Sequence, residues 1–105
     1  MKATKFSEKH PSEIVNCTFD FTNDLATAET ISTASMVVRV LYGTDASASS
    51  ILVGSPTIVS ANKALVQSAQ AGVDFTDYLM TATVNTSAGR RLVLQAILPV
   101  RRAVS

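Results

Sequence analysis

At 105 residues and 11.1 kDa the chain has the size of one domain, with room for a single core and no separate regulatory unit. Charged residues are 16%, below the roughly one quarter usual in soluble domains, and 47% are hydrophobic, which excludes a disordered chain. Nine Lys plus Arg against eight Asp plus Glu leave a formal charge of +1, and aromatics are 6% with no Trp. Neither a phosphate-condensing field nor a base-stacking surface is expected, so nucleic acid is not read as a partner.

The first eleven residues, M-K-A-T-K-F-S-E-K-H-P, are polar with no apolar stretch behind them, and do not read as a secretory signal. Residues 1–12 are expected to form an N-terminal arm. Val15, Cys17, Phe19 and Phe21 then alternate with Asn16, Thr18 and Asp20, the pattern of a half-buried strand. Ile31 opens a second run, in which Met36, Val38, Val40 and Tyr42 share a parity and Val37, Arg39 and Leu41 occupy the other. Gly43 to Ser50 is small and polar and reads as a loop. Ile51 to Val53 is a short strand stopped by Gly54-Ser55-Pro56, with Thr57-Ile58-Val59 after it.

Ser60 to Gly72 is two-sided. It has an N-cap candidate, good helix formers and a glycine placed like a helix C-terminus. Its position between short, regularly spaced strands favours a strand at a sheet edge, which is the reading taken. The last third is clearer. Tyr78, Met80, Ala82 and Val84 alternate up to Asn85-Thr86-Ser87-Ala88-Gly89, and Leu92, Leu94, Ala96, Leu98 and Val100 alternate on the return. That is a hairpin, with Gly89 suited to positive φ in its turn. Residues 101–105 are left as a C-terminal tail.

Short strands with turn chemistry between them predict an all-β fold over 1–105. The expected architecture is an immunoglobulin- or fibronectin-like antiparallel sandwich of about seven strands, with flexible termini. Asp74-Phe75-Thr76-Asp77-Tyr78 puts a turn just before a strand-leading tyrosine, where such domains place a corner tyrosine. An ordinary core tyrosine is the alternative, and Tyr78 is structural on both readings. No apolar run approaches the roughly 18–20 residues of a bilayer span, so no membrane partner is expected.

A reaction centre is hard to assemble from these residues. The one His, His10, lies in the polar N-terminal stretch, and the one Cys, Cys17, sits on the apolar parity of its strand. One His and one Cys cannot make a zinc site without carboxylates. Asp20, Asp24 and Glu29, or Asp74 and Asp77, lack the spacing of a calcium loop, and four Gly supply no phosphate cradle. No catalytic, cofactor-binding or metal residue is assigned, no cofactor or small-molecule substrate is expected, and the chain is read as a non-enzyme.

Two features remain. Arg90-Arg91 and Arg101-Arg102 flank the hairpin turn and end the last strand, where such charges either keep sheet ends soluble or dock an acidic neighbour. Val93 and Ile97, with Leu79, Val37 and Leu41, occupy the parity opposite the core residues of their strands. Apolar residues on both faces predict a covered outer sheet, and so an assembling subunit with Val37, Leu79, Val93 and Ile97 as interface candidates.

The order of pieces resembles a family of small tailed-bacteriophage virion proteins described as phage fiber-tail adaptors. K-H-P-S-E at Lys9 to Glu13, F-D-F-T-N-D-L at Phe19 to Leu25 and A-E-T-I at Ala28 to Ile31 begin it. G-S-P-T-I at Gly54 to Ile58, A-G-V-D-F-T-D-Y ending at Tyr78, T-A-T-V-N-T-S-A-G-R through Arg90 and L-P-V at Leu98 to Val100 complete it. Val73 stands where that family usually has a second glycine. The resemblance implies an immunoglobulin-like fold without catalytic residues, in a virion component assembled in the host cytoplasm. Copies would pack in a symmetric assembly and dock another virion protein, with Met1 to Ser7 and Arg101 to Ser105 clasping neighbours. A capsid decoration protein shares those features. A carbohydrate-binding module is a third reading, with Tyr42 and Phe75 as its loop aromatics.

Overall fold

The alternation read from the sequence becomes two sheets in a computed structural model, which describes residues 3–6 and 8–102. The strands are β1 (Ala3–Lys5), β2 (Val15–Asp20), β3 (Ile31–Tyr42), β4 (Leu52–Val59), β5 (Ala64–Ala69), β6 (Thr76–Thr86) and β7 (Arg91–Val100). One sheet runs β1-β7-β6-β3 and the other β2-β5-β4, an immunoglobulin-like sandwich. A single 3-10 turn, Ala48–Ile51, precedes β4. No helix among the described residues is long and apolar enough to cross a membrane.

The two sheets meet on the expected faces. Tyr78, Met80, Ala82 and Val84 of β6 and Ala96, Leu98 and Val100 of β7 pack against Cys17 and Phe19 of β2 and Leu65 of β5. The β6–β7 hairpin pairs without interruption from Thr76↔Val100 to Asn85↔Arg91, and Gly89 turns it at φ +80°. Met80 is fully buried two residues after Tyr78.

Two expectations about the termini and edges are corrected. Within the 1–12 segment expected as an arm, Ala3–Lys5 forms a strand. Ala3–Lys5 runs parallel to Gln95–Ile97, and the Phe6 N–H donates to the Ile97 carbonyl at 2.8 Å. Lys9 and Arg101 extend this docking, through Lys9 N–H to Pro99 O and Arg101 N–H to Lys9 O, both 2.9 Å. The hairpin leaves one edge of β7 unpaired, and the N-terminal segment supplies its partner. Met1, Lys2, Ser7 and residues 103–105, also expected to be flexible, lie outside the described residues.

The second correction concerns 60–72. A strand forms there, but β5 is the centre of its sheet rather than an edge, paired to β2 on one side and β4 on the other. Ser60, Ala61 and Asn62 take φ of 56°, 58° and 64°, a left-handed reversal from which no right-handed helix can start. Helix propensity then yields to two hydrogen-bonded ladders and the burial of Ala64, Leu65 and Ala69. Gln67, also buried, repairs a fault in the sheet. Register is lost between Val53 and Thr57, and its Nε2 donates to the Val53 and Gly54 carbonyls at 3.2 Å each.

Tyr78 is the corner tyrosine. The Val73 N–H donates to its hydroxyl oxygen at 2.8 Å, and the hydroxyl donates to Asp45 Oδ2 at 2.7 Å. Burial and the Asp45 carboxylate push the Tyr78 pKa up to about 12. At the opposite end of β6, the Thr86 hydroxyl and Arg90 donate to Glu29, whose other oxygen also accepts the Ala26 N–H at 2.8 Å. Those donors hold the Glu29 carboxyl down to about 2, Arg90 contributing most.

Tyr78→Phe leaves the Val73 N–H and the Asp45 carboxylate without their shared partner, and is expected to lower stability by about 1–3 kcal/mol. An unchanged urea midpoint would rule out the corner as a stabilising element. Glu29 predicts a distinct pH dependence. Its folded pKa lies below the unfolded value of 4.5, so the unfolded chain binds the proton first as pH falls. The stabilisation is complete above about pH 5 and drains away as pH drops toward about 2. Glu29→Gln should flatten that part of a Tm-versus-pH profile, and a slope equal to wild type would contradict the assignment.

Candidate docking surfaces

The groups that could carry chemistry are engaged in structure. His10 Nδ1 accepts the Ser12 N–H at 3.0 Å in a turn. The Cys17 thiol is buried, and burial pushes its pKa up to about 11, far from a thiolate nucleophile at neutral pH. Lys9 is buried too, donating from Nζ to the carbonyls of His10 at 2.9 Å and Ala71 at 2.6 Å. That burial lowers its pKa, against the opposing pull of Glu13 and Cys17. Among the described residues no cluster of His, Cys, Asp or Glu could hold a metal ion.

Two recesses of about 260 and 270 Å³ open where β2 faces β7. Phe6 lines both, and its ring meets Phe19 edge-to-face with centroids 5.5 Å apart. It acts as a wedge between the sheets. Sequence reasoning passed over Phe6 and Lys9, because an aromatic and a lysine in a polar stretch give no alternation to read.

The residues singled out from the sequence fall into two groups. On the outer face of the four-stranded sheet, Val37 is 62% exposed, Val93 and Ile97 are half-buried, and Leu79 is only 6% exposed. Leu79 sits between Arg39 and Ile97 in the ladder and is covered within the subunit. The basic pairs also divide. Arg90 binds Glu29 and donates to the Asp24 carbonyl at 2.9 Å, so it ties the hairpin turn to the 21–30 loop. Arg91 is exposed and donates to Asn85 at 3.3 Å. Arg101 pairs with Asp77 at 2.8 Å, and its guanidinium carbon stands 5.8 Å from the Phe75 ring centroid. Arg102 is exposed, and its N–H donates to Asp74 Oδ1 at 2.6 Å.

A second surface lies where β3 ends and β6 begins. Tyr42 is 73% exposed, pairs with Asp77, and precedes Gly43 at φ +96°. A Cβ on Gly43 would stand 2.7 Å from Thr76 Oγ1 and 2.9 Å from the Phe75 carbonyl, so the two segments approach backbone to backbone there. Phe75 is 69% exposed at φ 58°. The sequence marked both aromatics as near loops; what it did not reveal is that they share one end of the sandwich.

The fold is an immunoglobulin-like sandwich in which Lys9, His10, Cys17, Glu29 and Tyr78 are tied into the subunit's own structure, with aliphatic and aromatic side chains exposed at one end. Residues 9–99 match the family model of the podophage GP4 fiber-tail adaptor protein gp77, and the chain belongs to that family. It is a structural protein of the bacteriophage tail-fibre adaptor type. No curated protein and no solved structure matches the chain.

Proposed function

We propose that this chain is a non-enzymatic adaptor subunit that packs with copies of itself in a symmetric virion assembly and docks a second virion protein. The family match over residues 9–99 carries this reading. The outer sheet face supports it, because exposed Val37 and half-buried Val93 and Ile97 stand on that face among Thr81, Thr83 and Gln95, where a neighbouring copy would cover them. Leu79 and Arg90 take the supporting role of holding that sheet and its hairpin turn together, while Arg91 opens β7 and Arg101 and Arg102 follow its last residue. In this reading the protein assembles in the bacterial host cytoplasm and is carried in the tail.

Phage grown without this chain should show filled capsids and tails that lack fibres by negative-stain microscopy. Normal fibres on every tail would contradict the adaptor role, and loss of capsid integrity would favour capsid decoration instead. The contact between copies has its own test. Val93→Asp with Ile97→Asp should reduce the mass of the assembled species, measured by light scattering. An undiminished assembly would remove that face from the interface.

A further inference from the structure

The molecule measures 44 × 23 × 20 Å, so its strands run between two distinct ends, and those ends differ in chemistry. Among the described residues, six of the seven exposed large hydrophobic side chains lie at one of them: Ile14, Leu41, Tyr42, Val53, Val73 and Phe75. The register places them together, since β2 starts, β3 ends, β4 starts and β6 starts at that end. The seventh, Val37, is in mid-strand. The opposite end holds the Glu29–Arg90–Thr86 cluster and, among the described residues, none of the exposed large hydrophobics.

Phe75 is presented rather than merely uncovered. A bulky side chain at φ 58° occupies a backbone region that such residues rarely adopt, and strain of this kind persists only where the surroundings fix it. Here its N–H donates to the Val100 carbonyl at 2.9 Å, and Arg101 stands beside the ring. The adjacent Tyr78 corner holds the Val73 backbone. An aromatic held outward before its partner arrives loses little freedom on binding, which is the condition for a hot spot.

The surrounding charges define what can bind. Asp77 is paired with Arg101, Asp74 accepts the Arg102 N–H, and Asp45 accepts both the Tyr78 hydroxyl and the Ser47 N–H at 2.8 Å. A sugar site needs polar groups available beside its aromatic platform, and a charged ligand needs an opposite charge still to be neutralised. These carboxylates already have internal partners, which leaves the aromatic and aliphatic side chains, with exposed Arg102 beside them, as the groups presented and favours a largely apolar protein surface.

We infer that this end of the sandwich is the docking surface for a different virion protein, through an apolar recess on that protein that receives Phe75 and Tyr42. The inference rests on the adaptor reading. A second copy seated end to end would cover, on both subunits, the surface an adaptor needs for its other partner.

The test uses phage particles assembled in a host without this chain. They are incubated with purified wild-type protein, with the Tyr42→Ser, Phe75→Ser double variant, or with Thr27→Ser in the exposed loop beside Glu29, and retained protein is measured after sedimentation. Wild type and Thr27→Ser should be retained alike, while affinity of the double variant falls by about 30-fold or more. Both replaced side chains are exposed, so the urea midpoint should stay at the wild-type value. Equal retention of the double variant overturns this docking surface and leaves the adaptor reading standing. If wild type itself is not retained, the adaptor reading fails and this inference with it. A wild-type dimer in solution that the double variant reduces to monomer would also overturn the inference, because the occupant would then be a second copy.

Discussion

The fold is organised around the fully buried inner face of β6 and the anchors at the two ends of that strand. Tyr78, Met80, Ala82 and Val84 are all without solvent exposure, and β6 is hydrogen-bonded on both sides, to β3 and to β7. Its first turn is tied by the Tyr78 hydroxyl to Val73 and Asp45, and its last by Thr86 to Glu29. Each anchor joins loops distant in sequence, so neither end of the sandwich can spread without breaking buried hydrogen bonds. The other strands take their places relative to this axis.

The anchors leave the two ends in different states. Around Glu29 the polar groups answer one another and the surface is closed. Around Tyr78 the same kind of internal pairing uses up the carboxylates and leaves aromatic and aliphatic side chains outside. Among the described residues the exposed large hydrophobics therefore gather at one end, with Val37 alone in mid-strand. None of this needs a reaction centre. The buried thiol of Cys17 and the carbonyl-bound ammonium of Lys9 both belong to the packing of the subunit.

The strands β2, β3, β6 and β7 were legible because one face of each is buried, so that period-two alternation is written into Cys17 and Phe19, Met36 and Val38, and the hairpin residues. The structural role of Tyr78 was legible for a local reason, a turn immediately before its strand, and its hydroxyl partners decide for the corner over an ordinary core tyrosine. β5 was half legible. Its helix formers obeyed local propensity, while the three left-handed residues that forbid a helix are two ordinary side chains and an Asn, with no Gly to announce them. The N-terminal strand was not legible, because Ala3–Lys5 is held by backbone pairing to a β7 edge that no feature of its own residues describes. The outer-face residues were found, but Leu79 shows the limit of parity. Parity assigns a side of the sheet, and ladder neighbours decide whether that side is open. The grouping of Tyr42 with Phe75 is long-range, and only the strand register brings it about.

The most direct test of the central claim is a cryo-electron microscopy reconstruction of the intact virion, fitted with this sandwich. The account predicts density at the junction of tail and fibre, with the Tyr42–Phe75 end buried against a different polypeptide and the Glu29–Arg90 end facing away from it. A subunit on the capsid shell, or one at the tail with Tyr42 and Phe75 in solvent, would contradict it.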